Sequence, residues 1–184
     1  MIQNDFFKTS ALVFGKCRVV DFELEHLKEK YVAWLNDPEV VRFSEQRHLV
    51  HTIITCRDYF DSMRLSENHL FLAVEDNEGE RGHIGNLAVY LDVFNDTADV
   101  SILLGDKDVW GKGYASDAWT GLIDFLLKSM NVRKVTAGTM ASNMPMRRLM
   151  RRSGMHEESV RKAQFLYSGK AEDLILAAKF GGEY

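Results

Sequence analysis

A loop of small residues is the part of the sequence best suited to chemistry. Residues 110–115 read Trp-Gly-Lys-Gly-Tyr-Ala and lie between a predicted strand and a predicted helix. Gly111, Gly113 and Ala115 let the chain turn tightly and bring backbone N–H groups close to a ligand. A helix that begins at Tyr114 adds the positive end of its dipole. The sequence therefore predicts an anion site suited to a phosphate or pyrophosphate, with a plain strand-to-helix turn as the alternative.

Two known phosphate-loop patterns match this loop weakly. The Walker pattern requires Ser or Thr after the lysine, but Gly113 follows Lys112, and Gly105 lies one position too far before Gly111. The dinucleotide fingerprint would have Ser116 at its third small position and should follow the first strand of a parallel unit. Here the loop lies past the middle of the chain, after several consecutive predicted strands.

A second polar group lies between the first two predicted helices. Residues 40–51 follow neither the helical nor the strand period and contain Arg42, Glu45, Arg47, His48 and His51. Polar side chains gathered without periodicity are not needed for packing, so they are free to recognise a ligand. The alternative is an ordinary solvated loop.

The composition limits the class of protein that carries these groups. The 184 residues, 46% hydrophobic and 27% charged, predict one soluble globular domain over residues 1–184. A net charge of −4 argues against a nucleic-acid partner held by bulk charge. Cys17 and Cys56 are too few for a disulfide scaffold or a tetrahedral zinc site, so we expect no metal and a reducing, cytoplasmic location. No apolar run is long enough for a membrane span.

Hydrophobic periodicity predicts the elements that position these residues. Strands are predicted for residues 16–22, 69–75, 83–91, 98–105, 132–139, 160–167 and 172–180. Helices are predicted for residues 23–37, from Thr52 onward, and for residues 114–130 and 143–153. Short polar loops join three strands into an antiparallel meander, and a crossover helix places the next strand parallel to the last of them. The predicted fold is a mixed α/β (α+β) sheet with about seven strands and four helices.

The first two predicted helices each have an apolar face. The residues on these faces are Leu24, Leu27, Tyr31, Trp34 and Leu35 in the first helix, and Ile53, Cys56, Phe60 and Met63 in the second. Their spacing predicts that both faces are buried.

The sequence resembles the GNAT superfamily of acyl-CoA-dependent N-acetyltransferases, in the branch similar to the ribosomal-protein N-acetyltransferases. The phosphate loop of that superfamily reads Gln/Arg-x-x-Gly-x-Gly/Ala, and residues 110–115 match it except at Trp110. Other matching residues follow in order along nearly the whole chain: Trp34-Leu-Asn-Asp-Pro-Glu-Val, Ile84-Gly85, Ala98-Asp99-Val100-Ser101, Asn143, Gly154-Met155 and Asp173.

The resemblance implies a GNAT-like fold that binds acetyl-CoA where a parallel strand pair splays apart. The strands are the one ending at Gly105 and the one over residues 132–139. The implied cofactor-binding residues are Leu103, Leu104, Trp110, Gly111, Lys112, Gly113, Tyr114, Ala115 and Asn143. In this set the backbone near Leu103 and Leu104 would pair with pantetheine, and residues 111–115 would hold the pyrophosphate. Asn143 would also contact pantetheine, although helix capping explains an asparagine there equally well.

The resemblance also implies direct attack of an acceptor amine on the thioester. We expect Asp99 to act as the base, and because an unperturbed Asp is a poor base at neutral pH, this role implies partial burial or a water relay. The alternative is that Asp99 only orients the acceptor or is an exposed strand residue. Relatives place a Tyr or a Ser on the last helix as the acid that protonates departing CoA, but Met150 and Met146 occupy those positions. The thiolate would then be protonated by solvent or by another residue such as Ser101.

The acceptor pocket of the resembling fold lies between the segment after the first helix and the last hairpin. This makes Arg42, Glu45, Arg47, His48 and His51 candidates, with Arg161 and Tyr167 opposite. On the last helix, four arginines could reach the 3′-phosphate of CoA or form a solvated face: Arg147, Arg148, Arg151 and Arg152.

The predicted function is acetyl transfer from acetyl-CoA to a primary amine. The acceptor is either a protein N-terminus or a small amine such as an amino-sugar nucleotide, and a homodimer is possible. The alternative function is a non-catalytic acyl-CoA-binding module. A nucleotide-binding oxidoreductase is excluded by the glycine spacing.

Overall fold

The fold is an eight-stranded sheet with helices on both faces. The computed structural model describes residues 11–79 and 81–182. The sheet order is β1-β2-β3-β4-β5-β6-β8-β7. The strands are β1 Leu12–Phe14, β2 Cys17–Asp21, β3 His69–Asp76, β4 His83–Asp92, β5 Thr97–Leu104, β6 Lys134–Met140, β7 His156–Tyr167 and β8 Lys170–Phe180. The helices are α1 Glu29–Leu35, α2 Ile53–Leu65, α3 Tyr114–Lys128 and α4 Met144–Arg152.

The predicted meander and parallel crossover are both confirmed. Strand β4 pairs antiparallel with both β3 and β5, and β5 pairs in parallel with β6. Helix α3 makes the connection between β5 and β6, which needs a crossover because parallel strands cannot be joined by a tight hairpin.

Two apolar cores lie on opposite faces of the sheet. Strand residues alternate between them: Leu70, Leu72 and Val74 of β3 face the larger core with α3, whereas Phe71 and Ala73 face the smaller core with α1 and α2. This alternation follows from the two-residue period of a strand. The central strands are therefore covered on both faces, and their apolar residues are nearly continuous.

The predicted strand count was one short. Leu12–Phe14 pairs antiparallel with Cys17–Asp21 through a turn at Gly15, where φ is +54°. The strand packs because Gly121 of α3 has no side chain, and a Cβ there would overlap the ring of Phe14. A strand of three residues carries too little periodicity to be recognised in sequence.

The first predicted helix, over residues 23–37, is shorter in the structure. A 3-10 turn covers Leu24–His26, and α1 begins only at Glu29. The ring of His26 accepts the N–H of Glu23 through Nδ1 at 2.9 Å, which closes a tight turn, and Lys28 is extended. Leu24 is consequently 51% exposed, and its predicted burial was wrong.

Helix α2 begins where predicted, because Thr52 caps it. The Thr52 hydroxyl accepts the N–H of Thr55, and the Thr55 hydroxyl accepts the N–H of Thr52 in return. Cys56, Phe60 and Met63 are buried as predicted. Ile53 shares their spacing but remains 48% exposed in the first turn, so its predicted burial was wrong.

The last hairpin is longer than predicted and carries a bulge. The register of β7 against β8 shifts between Arg161 and Phe165, where Ala163 has φ of +52°. The carboxylate of Asp173 accepts the N–H of Ala163 at 2.9 Å and pairs with Lys162 at 2.8 Å. Asp173 thus holds the extra residues of the bulge in place.

No helix in residues 11–79 and 81–182 is both long enough and apolar enough to cross a bilayer.

Candidate active site

Strands β5 and β6 diverge shortly after they meet. Their parallel pairing covers three residue pairs and ends at Asp99 and Thr136. Beyond this point β5 continues to Leu104 against β4 alone, and β6 continues to Met140 against β8. The second half of β5 therefore faces a gap, the β5–β6 fork, with backbone groups available for a ligand.

The glycine loop lies just beyond the end of β5. Gly111 and Gly113 have φ of +73° and +97°, and a Cβ at either would meet nothing within 4 Å. Side-chain collisions therefore do not explain the glycines, but the left-handed conformation does. Gly113 caps α3 without a side chain, so the N–H groups of Tyr114, Ala115 and Ser116 have no acceptor within the described residues. This geometry supports the predicted anion site.

Two long side chains fix the loop to the sheet. The indole Nε1 of Trp110 donates to the carbonyl of Leu104 at 2.9 Å. The ammonium of Lys16, next to β2, donates to the carbonyl of Lys112 at 2.9 Å. Trp110 occupies the position at which the loop pattern departs from the resembling family, and here it joins the loop to the end of β5. One lone pair of Leu104 O is thus used inside the protein.

Asp99 lies at the apex of the β5–β6 fork. Its carboxylate accepts the hydroxyl of Thr136 from β6 at 2.7 Å. Partial desolvation raises the pKa of Asp99 above its usual value, and the Thr136 hydrogen bond opposes that rise. The side chain still reaches solvent. A carboxylate with a raised pKa is a better proton acceptor than an ordinary Asp.

A cleft of about 400 Å³ opens on the face of the sheet that carries α1 and α2. Its walls come from α1, α2 and the segment between them, and its floor comes from β3, β4 and β5. The lining residues of β5 are Ser101, Ile102 and Leu103, which lie past the last β5–β6 pair. The cleft and the fork therefore share one strand segment.

Asn86 of β4 lies in the floor of the cleft and was not among the predicted site residues. It is 5% exposed, and neither atom of its amide has a hydrogen-bond partner within the described part of the chain. It pairs across the strands with Leu103. The available signal was a lone amide within the apolar stretch Ile84-Gly-Asn-Leu-Ala-Val.

The lining of the cleft includes His51 but not the other four predicted acceptor residues of this segment, Arg42, Glu45, Arg47 and His48. The Arg47 guanidinium donates to the carbonyls of Ser44 and Leu166 and to Glu45. Arg42 stacks on the ring of Phe43, and His48 lies 3.9 Å from Glu45. The residues of this segment that line the cleft are Ser44, Gln46, Leu49, Val50 and His51.

The segment and the last hairpin meet as expected. Arg47 Nη2 lies 3.4 Å from the carbonyl of Leu166, and the rings of Phe43 and Tyr167 are 5.6 Å apart. Arg161 pairs with Leu174 in the hairpin and is exposed.

Asn143 caps α4. Its Oδ1 accepts the N–H of Met146 at 3.2 Å, and its Nδ2 donates to Thr139 of β6 at 3.0 Å. The second hydrogen of Nδ2 remains for another acceptor on the β6 side of the fork. The capping role and the predicted pantetheine contact are therefore compatible.

The last helix carries no acid at the two positions used by relatives. Met150 is 1% exposed within the larger core, and Met146 packs against that core. Of the four arginines, Arg147 is engaged with Ala141 and Glu157. Arg148, Arg151 and Arg152 are exposed.

Comparison with known proteins decides the family. A family model described as an acetyltransferase (GNAT) domain matches residues 18–156. The chain belongs to the GNAT acetyltransferase family. It is therefore an acetyl-CoA-dependent N-acetyltransferase, and the predicted resemblance and fold are confirmed.

Three relatives illustrate the range of the family. An uncharacterised N-acetyltransferase, p20, of Bacillus licheniformis is 24% identical over 159 residues, which are 81% of this chain and 84% of the relative. The spermidine N-acetyltransferase of Vibrio cholerae, solved with CoA and spermine, has a TM-score of 0.80 at 15% identity, covering 90% of this chain and 96% of that chain. The ribosomal-protein-S5-alanine acetyltransferase of Vibrio fischeri has a TM-score of 0.79 at 19% identity, covering 95% and 98%.

Proposed function

We propose that this acetyltransferase moves an acetyl group from acetyl-CoA to a primary amine by direct attack within a ternary complex. The observation that carries the proposal is that the β5–β6 fork and the cleft share Ser101, Ile102 and Leu103. An acyl donor in the fork and an amine in the cleft would meet at this segment. No covalent enzyme intermediate is then required, because the two reactants are held side by side.

The residues that would hold acetyl-CoA are those of the fork and the loop. The free N–H groups at the start of α3 suit the pyrophosphate, and Gly111 and Gly113 leave open space over the loop. Leu103, Leu104 and Asn143 border the fork. Trp110 and Lys112 are also proposed to bind acetyl-CoA, because they form part of the loop backbone. Acetyl-CoA supplies the activated acyl group.

Proton transfer is the main chemical task of the protein side chains. The amine arrives protonated and must lose one proton before it attacks the thioester carbon. The C–N bond forms as the C–S bond breaks, and the nitrogen loses its second proton to solvent to give the neutral amide. We assign the base to Asp99, because its pKa is raised by desolvation. The CoA thiolate then takes a proton from solvent or from the hydroxyl of Ser101, which lines the cleft.

Two acceptor classes remain for the cleft: a protein N-terminus and a small amine such as an amino-sugar nucleotide. The relative from Vibrio fischeri, by its name, acts on an alanine of a ribosomal protein. That relation supports the first class. The polar segment beside the cleft, with Arg42, Glu45, Arg47 and His48, supports the second, because hydroxyls or phosphates of a ligand could reach it.

The loop assignment is tested with Gly113→Glu. The substitution puts a side chain and a negative charge where the pyrophosphate would lie, so calorimetry should show acetyl-CoA binding largely abolished. Gly169→Glu is the matched control, because Gly169 also has a positive φ, +75°, with nothing within 4 Å of a Cβ. Gly169 lies in the turn between β7 and β8, so the Gly169→Glu variant should bind acetyl-CoA like the wild type. Normal binding by a folded Gly113→Glu variant would remove the proposal.

A further inference from the structure

Asn86 is a buried amide for which the fold provides no partner. Its side chain is 5% exposed, and Nδ2 and Oδ1 both lack a hydrogen bond within residues 11–79 and 81–182. Buried amides are almost always paired, because an unpaired one loses its hydration without compensation. An apolar residue of similar volume would serve the packing of β4 better. The need for Asn86 therefore lies outside the stability of the fold.

The position of Asn86 is that of a ligand contact. It lines the cleft floor on β4, directly opposite Leu103 of β5. The next pair on the same face is Ala88 opposite Ser101, and the pair after that is Tyr90 opposite Asp99. Asn86 is thus two pairs from the proposed base along one face of the sheet. Four residues of a strand span about 13 Å, so Asp99 would take the proton of the amine through a water relay. Asn86 instead lies opposite Leu103, in the segment where the acyl donor and the amine would meet, so a group bound to Asn86 would lie close to the reacting amine.

The cleft around Asn86 is lined by polar groups of the neutral residue types and one histidine. Its described lining contains no Asp, Glu, Lys or Arg. The polar groups there are hydroxyls, amides and one imidazole: Tyr31, Ser44, Gln46, His51, Thr55, Tyr59, Tyr90 and Ser101. The hydroxyls of Tyr59 and Tyr90 already bond to each other at 3.1 Å. A second cationic group on an acceptor would find no counter-charge inside such a cleft.

We propose that Asn86 determines acceptor specificity by binding a neutral group close to the reacting amine. The amide offers a donor and an acceptor side by side, which suits a peptide amide or a hydroxyl. The proposal rests on the acetyl transfer proposed above and narrows its acceptor. Amines that carry an adjacent amide or hydroxyl are the substrates, and polyamines are not.

The test uses four acceptors with the full-length enzyme: alanine amide, glucosamine, spermidine and propylamine. Free CoA is measured as it is released, for the wild type and for Asn86→Leu. We expect kcat/KM of the wild type to be highest for alanine amide or glucosamine, and the better of the two identifies an amide or a hydroxyl as the bound group. In Asn86→Leu that value should fall ten- to a hundredfold, since the loss of two buried hydrogen bonds has about this effect.

Three further measurements separate recognition from a structural effect. Propylamine has no group for Asn86, so its kcat/KM should be the same in both proteins. The affinity for acetyl-CoA should not change. The thermal midpoint of Asn86→Leu should be equal to or above that of the wild type, because an unpaired buried amide has been removed. Asn68→Leu, on an exposed residue outside the cleft, is the control for the substitution itself.

Asn86→Asp provides a second variant that keeps the shape of the side chain. It loses the donor and adds a negative charge, so activity on alanine amide and glucosamine should fall and activity on spermidine should rise. Equal kinetics of wild type and both variants on every acceptor would overturn the role of Asn86 while leaving acetyl transfer intact. A wild-type preference for spermidine would also overturn it. Binding of acetyl-CoA without acetylation of any amine would instead overturn the proposed function.

Discussion

At the scale of single residues, one short contact adjusts the chemistry of the site. Thr136 donates to Asp99 at 2.7 Å, and this bond joins β6 to β5 at the last pair before they diverge. Desolvation raises the pKa of Asp99, and the Thr136 hydroxyl limits the rise because it stabilises the charged form. The net effect leaves the Asp99 carboxylate more basic than an ordinary Asp.

Removal of the carboxylate should affect transfer more than binding. Asp99→Asn is expected to keep acetyl-CoA affinity near that of the wild type and to lower transfer at neutral pH about a hundred- to ten-thousandfold. The deficit should shrink as the pH rises, because solvent then supplies free amine. Steady-state rates across pH measure this, and an unchanged pH–rate profile would show that Asp99 is not the base.

The Thr136 hydroxyl can be tested separately. Thr136→Val removes the one hydrogen bond that lowers the pKa of Asp99, so the acidic limb of the pH–rate profile should move to higher pH. Thr136→Ser keeps the hydroxyl and should return the limb toward its wild-type position. A Val variant whose acidic limb coincides with that of the wild type would separate Thr136 from the titration of Asp99.

At the scale of elements, sequence patterns identified the parts with strong local signals. The turn at Ser168-Gly169, the cap at Thr52 and the switch of period after Gly105 all lie where expected. The predicted start of α1 was wrong because Nδ1 of His26 accepts the backbone N–H of Glu23 and closes a tight turn before the helix. Hydrophobic periodicity does not reveal such a hydrogen bond.

In the candidate site, too, the features with a strong local sequence signal were predicted and the others were not. The glycine loop could be recognised from its spacing, since backbone conformation dictates which residue types it tolerates. The cleft lining could not, because it joins α1, α2, β3, β4 and β5 across the chain. Asn86 was missed for this reason: in sequence it is one polar residue in a strand, and its missing partners appear only in three dimensions.

Helix α2 gives a test of how strongly a cap supports one wall of the cleft. Thr52→Ala removes the hydroxyl that accepts the Thr55 N–H, so the free energy of unfolding should fall by about 1 kcal/mol. Urea denaturation measures the change. Thr52→Ser keeps the cap and should remain within a few tenths of the wild type. An Ala variant as stable as the Ser variant would show that α2 does not depend on this cap.

At the scale of the whole molecule, the sheet separates two tasks. The larger core fixes α3 and with it the loop that would hold the pyrophosphate, whereas the smaller core fixes the walls of the cleft. Gly105 couples the two regions: a Cβ there would overlap the ring of Trp34 in α1, so the end of β5 packs directly against that helix. The position of the fork relative to the cleft is thus determined by packing on both faces.

The smaller core also links stability to pH through His83. This side chain packs edge-on against the rings of Phe22, His26 and Trp34, and Nε2 lies 2.9 Å from the carbonyl of Gly85. Burial, with a smaller effect from charge on His26, lowers the pKa of His83 to about 4. In the unfolded chain the pKa is about 6.5. Between these values the unfolded chain binds more protons than the folded one.

Stability should therefore fall as the pH drops from about 6.5 to about 4, where the loss from His83 reaches about 3 kcal/mol. Above pH 6.5 His83 is neutral in both states and contributes no slope. Urea denaturation at several pH values measures the dependence. His83→Gln, which cannot titrate, should be less stable at neutral pH because it loses ring contacts, but its stability should fall less steeply below pH 6.5. Parallel pH dependence of the two proteins would mean that another group controls the acid limb.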